Sequence, residues 1–309
     1  MALNLIDENM TGLEFIKSKQ QVWAGRKSLQ LVGGTIPGRG EKNYLHNLTD
    51  NLFEPLSKES LYCYNSGDGS ETRDCKTRLA KMKCLHSSSA IVVNLFQYWQ
   101  KNVYPISYAC GLTSKNPSEI DILSENINSN KTECKIKFEE KFEISGDKSE
   151  FPYSPNIDVV IENFQSLIYA IESKFTEPYN KGKHKGIKQK YIDNPSFWSG
   201  IPNLYELAKE ICPNDNKFRY LDAAQLIKHI LGLKRRYNKS GFCLLYLWYD
   251  VIGEDSFNHR KEIEQFTEIA KKDNIQFRHI TYQEVIIRLS KEFHDGNETY
   301  CDYLADRYL

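Results

Sequence analysis

Seven apolar residues run unbroken from position 243 to 249, CLLYLWY. A strand buried on one face alternates apolar and polar side chains. An unbroken run of strand length is expected of a central strand buried on both faces. Apolar layers must then lie above and below it, and the neighbouring sequence offers them. Residues 218–236 and 257–272 read as helices. A short strand at 275–280 and a helix at 281–293 follow. Upstream, KIKFEEKFEI at 135–144 sets Ile136, Phe138, Glu140 and Phe142 on one parity. Residues 157–162 form a second strand after Pro152 and Pro155, and residues 167–175 a third. The turn-like Asn163-Phe-Gln-Ser links these two. The order is helices, then three strands, then α-β-α-β-α. It predicts an α/β fold with a mixed central β-sheet flanked by helices, preceded by a helical and irregular N-terminal extension over residues 1–80.

Several segments read more simply than their composition suggests. HSSSAIVVNLFQYWQ at 86–100 is a buried helix whose serines cap its start. Ser87–Ser89 beside His86 make no catalytic triad, which needs a spatially arranged base and acid. GGTIPGRG at 33–40 lacks the Gly-Lys-Ser/Thr ending of a phosphate loop and reads as a flexible turn. Residues 64–76 read as a polar loop and residues 113–132 as a polar surface insertion.

The 309 residues carry 41 Lys plus Arg against 41 Asp plus Glu, a net charge of zero. That balance excludes a protein that coats nucleic acid by bulk charge, but not one with a locally basic groove. Hydrophobic residues at 40% and charged residues at 27% argue for a globular chain. The eight cysteines form no CxxC pair, so a zinc ribbon or thioredoxin-like site is not expected. Cys75, Cys84 and His86 fit no standard zinc spacing. No run reaches the roughly 18 apolar residues of a membrane span, and the first residues are not a secretory signal. A cytoplasmic protein with reduced cysteines and no membrane partner is the expectation.

The chemistry concentrates in Pro155-Asn-Ile-Asp158 and Ala170-Ile-Glu172-Ser-Lys174. Side chains alternate along a strand, so Glu172 and Lys174 share a face. In a symmetric hairpin centred on Gln165, Asp158 stands directly across from Glu172. Two carboxylates so close repel one another, and a divalent cation between them removes the conflict. Oxygen ligands suit Mg²⁺ or Mn²⁺. Lys174 would then orient or help deprotonate a water, or stabilise charge on a phosphoryl oxygen. The plainer alternative is a solvated strand end with a weak ion pair. Basic runs give nucleic acid an approach: Lys181, Lys183, Lys185, Lys188 and Lys190 in KGKHKGIKQK, and Arg235 and Arg236 with Lys228, Lys234 and Lys239. Tyr179, Tyr191, Phe197 and Trp198 are placed either to stack on bases or to anchor loops. Gln225 and His229, four apart, share one helix face, with Ala223, Ile227 and Ile230 opposite and toward the sheet.

This Asp…Glu-x-Lys arrangement resembles the PD-(D/E)xK nuclease superfamily, the restriction-endonuclease-like fold. The usual Pro-Asp is stretched here to Pro155-Asn-Ile-Asp158. HSSSAIVVNLFQYW, FEEKF, PNIDVVI, IESKFTE and QLIKHILGL are similar to stretches of a bacterial family of restriction-endonuclease-like proteins, in blocks over about residues 80–290. The resemblance implies that residues 81–309 are a nuclease domain, continuous with the extension as one globular unit. It implies that Asp158, Glu172 and Lys174 are the metal and catalytic residues, with the Ser173 carbonyl a further ligand. Glu139, or alternatively Glu140, would be an additional metal or water ligand. Gln225 and His229 would contact phosphate or metal-bound water. A Mg²⁺-dependent deoxyribonuclease of restriction or DNA-processing type is the leading expectation, DNA its partner and a homodimer its common assembly. The alternative is a catalytically inactive nuclease-like module that binds nucleic acid or a partner.

Overall fold

A computed structural model describes residues 10–36, 39–66, 71–113, 135–162, 167–182 and 184–309. Gln165, Lys183, Cys134, Pro37 and Gly38, and most of the expected insertion at 113–132, lie outside them. The N-terminal part holds helix α1 (Gly12–Arg26), a small hairpin β1 (Leu31–Gly33) and β2 (Lys42–Leu45), and helices α2 (Lys58–Ser66), α3 (Ser88–Phe96) and α4 (Tyr104–Ala109). The strands β3 (Lys135–Lys141), β4 (Asn156–Glu162) and β5 (Ile168–Lys174) follow. After them come α5 (Gln189–Ile192), α6 (Pro202–Glu210), α7 (Ala223–Tyr237), β6 (Phe242–Trp248), α8 (Glu254–Lys272), β7 (Phe277–Thr281), α9 (Tyr282–Glu292) and α10 (Glu298–Tyr308).

The five long strands form one mixed sheet in the order β3-β4-β5-β6-β7. The first two pairings are antiparallel, and β5-β6 and β6-β7 are parallel. Every residue of β6 is buried, as its apolar run requires. Alternate residues of that strand feed two separate cores. Cys243, Leu245 and Leu247 pack with α3, α4, α9 and α10. Leu244, Tyr246 and Trp248 pack with α6, α7 and α8. Each fully buried large side chain contributes about 1.5–3 kcal/mol relative to exposure. A parallel pair needs a crossover, and α7 and α8 supply the two that carry the chain from β5 to β6 to β7.

The local signals set most element ends. Ser87 caps α3, its hydroxyl accepting from Ala90 N at 3.3 Å, while Ser89 donates to Glu71 Oε2 at 3.1 Å. Thr281 and Glu284 form a capping box that starts α9 directly at the end of β7. Helix α7 begins at Ala223, later than the expected 218. Glu262 accepts from the amides of Arg219, Tyr220 and Leu221, and Asp222 is the N-cap.

Two expectations are corrected. The parity of the first strand does not persist from Ile136 to Phe142. Ile136 and Phe138 enter the core of α3 and α4, whereas Phe142 and Ile144 enter the core of α6 and α7. The cause is Glu139, whose φ of 56° switches the alternation in mid-strand. The face carrying His229, expected opposite the sheet-facing residues, is itself buried. Leu226, His229 and Leu233 are buried along with Ala223, Ile227 and Ile230, because α6 and the turn at 195–198 cover the helix as well.

Candidate active site

The site lies where β4 and β5 part company. Their antiparallel ladder runs to the pair Val159–Ile171. One further step in the same register sets Asp158 opposite Glu172. The ladder stops there, and Asp158 takes over the acceptor's role with its side chain, Oδ2 receiving Ser173 N–H at 2.7 Å. On the other side, Phe138 pairs with Val159 and Glu140 with Ile157, which sets Glu139 opposite Asp158. Beyond β5, Glu172 pairs with Tyr246. Glu139, Asp158 and Glu172 therefore occupy one row across three neighbouring strands.

Glu172 is almost fully buried at 1% exposure. Lys174 Nζ stands 2.5 Å from its Oε1 and donates at 2.9 Å to Gln225 Oε1. His229 Nε2 lies 2.9 Å from Glu172 Oε2, at ion-pair distance but without hydrogen-bond alignment. Gln225 and His229 thus reach the strand face from successive turns of α7. The structure brings together Glu172, Lys174, Gln225 and His229, with Asp158 and Glu139 adjoining in the row.

Burial and charge set the protonation of this group. Burial raises the Glu172 carboxyl, but Lys174 and His229 overcome it and hold the pKa at about 2. Burial would lower the Lys174 ammonium, yet Glu172, Asp158 and Glu177 push it upward instead. Asp158 goes well above the ordinary carboxylate range, first through burial and then through repulsion from Glu172. Glu139 rises to about 7 by burial, opposed by its hydrogen bond from Asn156 and reinforced by Glu71 and Glu172.

The basic runs fall in different places. His184 Nδ1 is 3.8 Å from Asp222 Oδ2, so the 181–190 loop reaches the N-terminal end of α7 that carries Gln225. Lys181, Lys185 and Lys188 are exposed. Lys190 is half-buried over the Phe151 ring and donates to the Glu150 carbonyl. Arg235 and Arg236 lie at the far end of α7, roughly 15 Å along the helix from Gln225. They pair with Glu143 at 3.5 Å and Glu140 at 3.3 Å. The aromatic residues near the loop are anchors. Tyr179, Tyr191 and Trp198 are buried, and Phe197 packs against the core that holds Tyr191 and Trp198. Cys84 touches His86, with sulfur to ring nitrogen distances of 3.4 and 3.5 Å. Cys75, exposed, instead faces Thr77.

Sequence reasoning missed Asn156, which donates to Glu139 and sits in the PNID segment itself. It also missed Tyr64 and Glu71 of the N-terminal part, whose link to the acidic row is wholly tertiary.

One family model matches the chain, described as "Restriction Endonuclease associating with ARP", over residues 17–309. The chain belongs to this restriction-endonuclease family. No curated protein and no solved structure matches it. The family's span takes in both the five-stranded sheet and most of the N-terminal part. Within it, α1 and α10 are joined by Arg307, which donates to Gln20 Oε1 at 2.9 Å. No helix among the described residues is long and apolar enough to cross a membrane.

Proposed function

We propose that this restriction-endonuclease family member is a divalent-metal-dependent nuclease of PD-(D/E)xK type that hydrolyses DNA phosphodiester bonds. One observation carries the reading: the β4–β5 register aligns Asp158 with the Glu172-Ser-Lys174 strand end. Among the described residues, no group of three or more His, Cys, Asp or Glu forms a ready metal cage. The donor chemistry nevertheless fits a hard cation. Glu172 is a buried carboxylate and Asp158 a half-buried one, and Glu172 Oε2 has no hydrogen-bond partner among the described residues. Asp158, Glu172 and the Ser173 carbonyl, with Glu139 alongside, would hold Mg²⁺ or Mn²⁺. The ion would supply Lewis acidity at the phosphoryl group. Lys174, steadied by Glu172 and Gln225, holds positive charge where the phosphate's charge grows. His229 Nε2 lies 2.9 Å from the far oxygen of Glu172. The water oxygen bonds to phosphorus as the phosphorus–ester oxygen bond breaks. The water's proton passes to a carboxylate of the row, and the leaving oxygen takes a proton from solvent. Lys181, Lys185 and Lys188 offer phosphate contacts beside the site.

A second reading has its own support. Glu172 already has the Lys174 ammonium at 2.5 Å and the His229 ring at 2.9 Å, as in a nuclease-like module that binds without turnover. The test is cleavage of plasmid and linear DNA with Mg²⁺ or Mn²⁺, against chelator. Glu172→Ala alone is ambiguous, because stranding a buried Lys174 costs about 3–5 kcal/mol. Asp158→Asn is the companion variant, expected to fold and to lose cleavage by at least about a hundredfold. Uncut DNA with wild-type protein, or equal cleavage by Asp158→Asn, overturns the reading. Calorimetric Mn²⁺ titration separates a metal enzyme from a metal-free binding module.

A further inference from the structure

Helix α2, in the part of the chain read from sequence as an extension, lies against β3. The Tyr64 ring packs on Phe138, with centroids 5.7 Å apart and planes tilted by 30°. Phe138 immediately precedes Glu139, the residue at φ 56°. Tyr64 is 2% exposed, and its hydroxyl has no hydrogen-bond partner among the described residues. Apart from burial, the foremost influences on that hydroxyl are the charges of Glu139 and then Asp158. Neither carboxylate is bonded to it. Glu139 accepts from Asn156 Nδ2, and Asp158 accepts from Ser173 N. The other amide atom of Asn156, Oδ1, is also buried and without a partner. An unmatched donor, on the ring packed against Phe138, and an unmatched acceptor, on the amide that bonds Glu139, therefore lie by neighbouring residues of β3. Buried polar groups of this kind are normally matched, by protein or by ordered water.

A water molecule meets both needs. It accepts one hydrogen bond from a phenol and donates two, to an amide oxygen and a carboxylate. A phosphate oxygen, which cannot donate, would find two acceptors facing it. We propose that Tyr64 is a positioning residue: its hydroxyl donates to the hydrolytic water and holds it beside Glu139 and Asn156. The inference rests on the nuclease reading above and extends the site into the N-terminal part of the chain.

Tyr64→Phe removes only the hydroxyl. The expected result is a fall in kcat of about a hundredfold at saturating DNA, with KM little changed and Tm equal or higher. A purely structural tyrosine would lower Tm and leave kcat alone. A high-resolution crystal structure of the metal-free protein adds a readout independent of turnover. Ordered water between Tyr64 Oη and Asn156 Oδ1, lost in Tyr64→Phe, supports the assignment. Unchanged kcat in Tyr64→Phe, while Asp158→Asn is inactive, overturns it, as does the absence of that water. If wild-type protein and Asp158→Asn are alike inactive, the nuclease reading fails and takes the catalytic role of Tyr64 with it.

Discussion

Asp158 and Glu172 stand in one row, yet their surroundings drive their titration apart. Glu172 faces two basic side chains and keeps its charge down to a pKa of about 2. Asp158 is buried beside the Glu172 charge and is driven toward the neutral form. The linkage signs follow. Glu172, lowered from an ordinary 4.5, contributes stability that is complete above about pH 4.5 and lost as pH falls through 2. Asp158, raised from 3.8, withdraws stability as pH climbs from 3.8 toward its folded-state pKa. Asp158→Asn removes that charge and keeps an acceptor for Ser173 N–H. Its Tm should exceed wild type at neutral pH, with the gap closing as pH falls toward 3. Thermal melts across pH check this; a variant less stable than wild type at pH 7 would show that the Asp158 charge is not a burden. Under the metal reading, Mn²⁺ raises the wild-type Tm and not that of the variant.

Helix α7 does at element scale what no single strand residue can. It lays Gln225 and His229 over Glu172 and Lys174 because it approaches the sheet closely. Gly232 permits that approach. A Cβ there would stand 2.8 Å from the Phe142 carbonyl oxygen and 2.9 Å from Phe142 Cβ. Gly232→Ala gains about 1 kcal/mol of helix propensity. The clash is with backbone, which cannot swing away, so a net loss of roughly 1–3 kcal/mol is expected. Denaturant melts measure it, and a stabilised variant would mean that the helix shifts freely. The helix was legible as a helix, but its burial on more than one face was not. Periodicity shows which residues share a face and is silent on how many faces neighbours cover. Glu139 hid for a similar reason, since KIKFEEKFEI alternates like an ordinary strand until a positive φ switches its faces.

At the scale of the molecule, the two ends of the chain close over one core. Arg307 of α10 is fully buried and donates to Asn51 O at 2.8 Å, Leu85 O at 3.1 Å, Gln20 Oε1 and Tyr303 Oη. Its guanidinium lies 4.1 Å from the Trp23 ring centroid. Arg307→Met leaves several buried acceptors unmatched, each worth about 1–3 kcal/mol, so a loss of at least about 3 kcal/mol is expected. Hydrogen exchange should quicken around residues 43–52 and in α1. Exchange unchanged there would mean that the N-terminal part docks without this arginine. Because α2 belongs to the same layer, the placement of Tyr64 depends on that docking.

The apolar run at 243–249 and the spacing about Gln165 were local facts, and they determined a great deal. A strand apolar at every position must be covered on both faces, and a hairpin of equal arms must set Asp158 across from Glu172. Sequence therefore contained the mixed sheet, its helical layers and the Asp158, Glu172 and Lys174 constellation. Tertiary structure alone decided which groups converge from far along the chain: His229 onto Glu172, Tyr64 toward Glu139, Arg307 onto Asn51. The net charge of zero says nothing about these meetings. Hydrophobic periodicity encodes that a face is buried, but the identity of what buries it depends on packing between elements far apart in the chain.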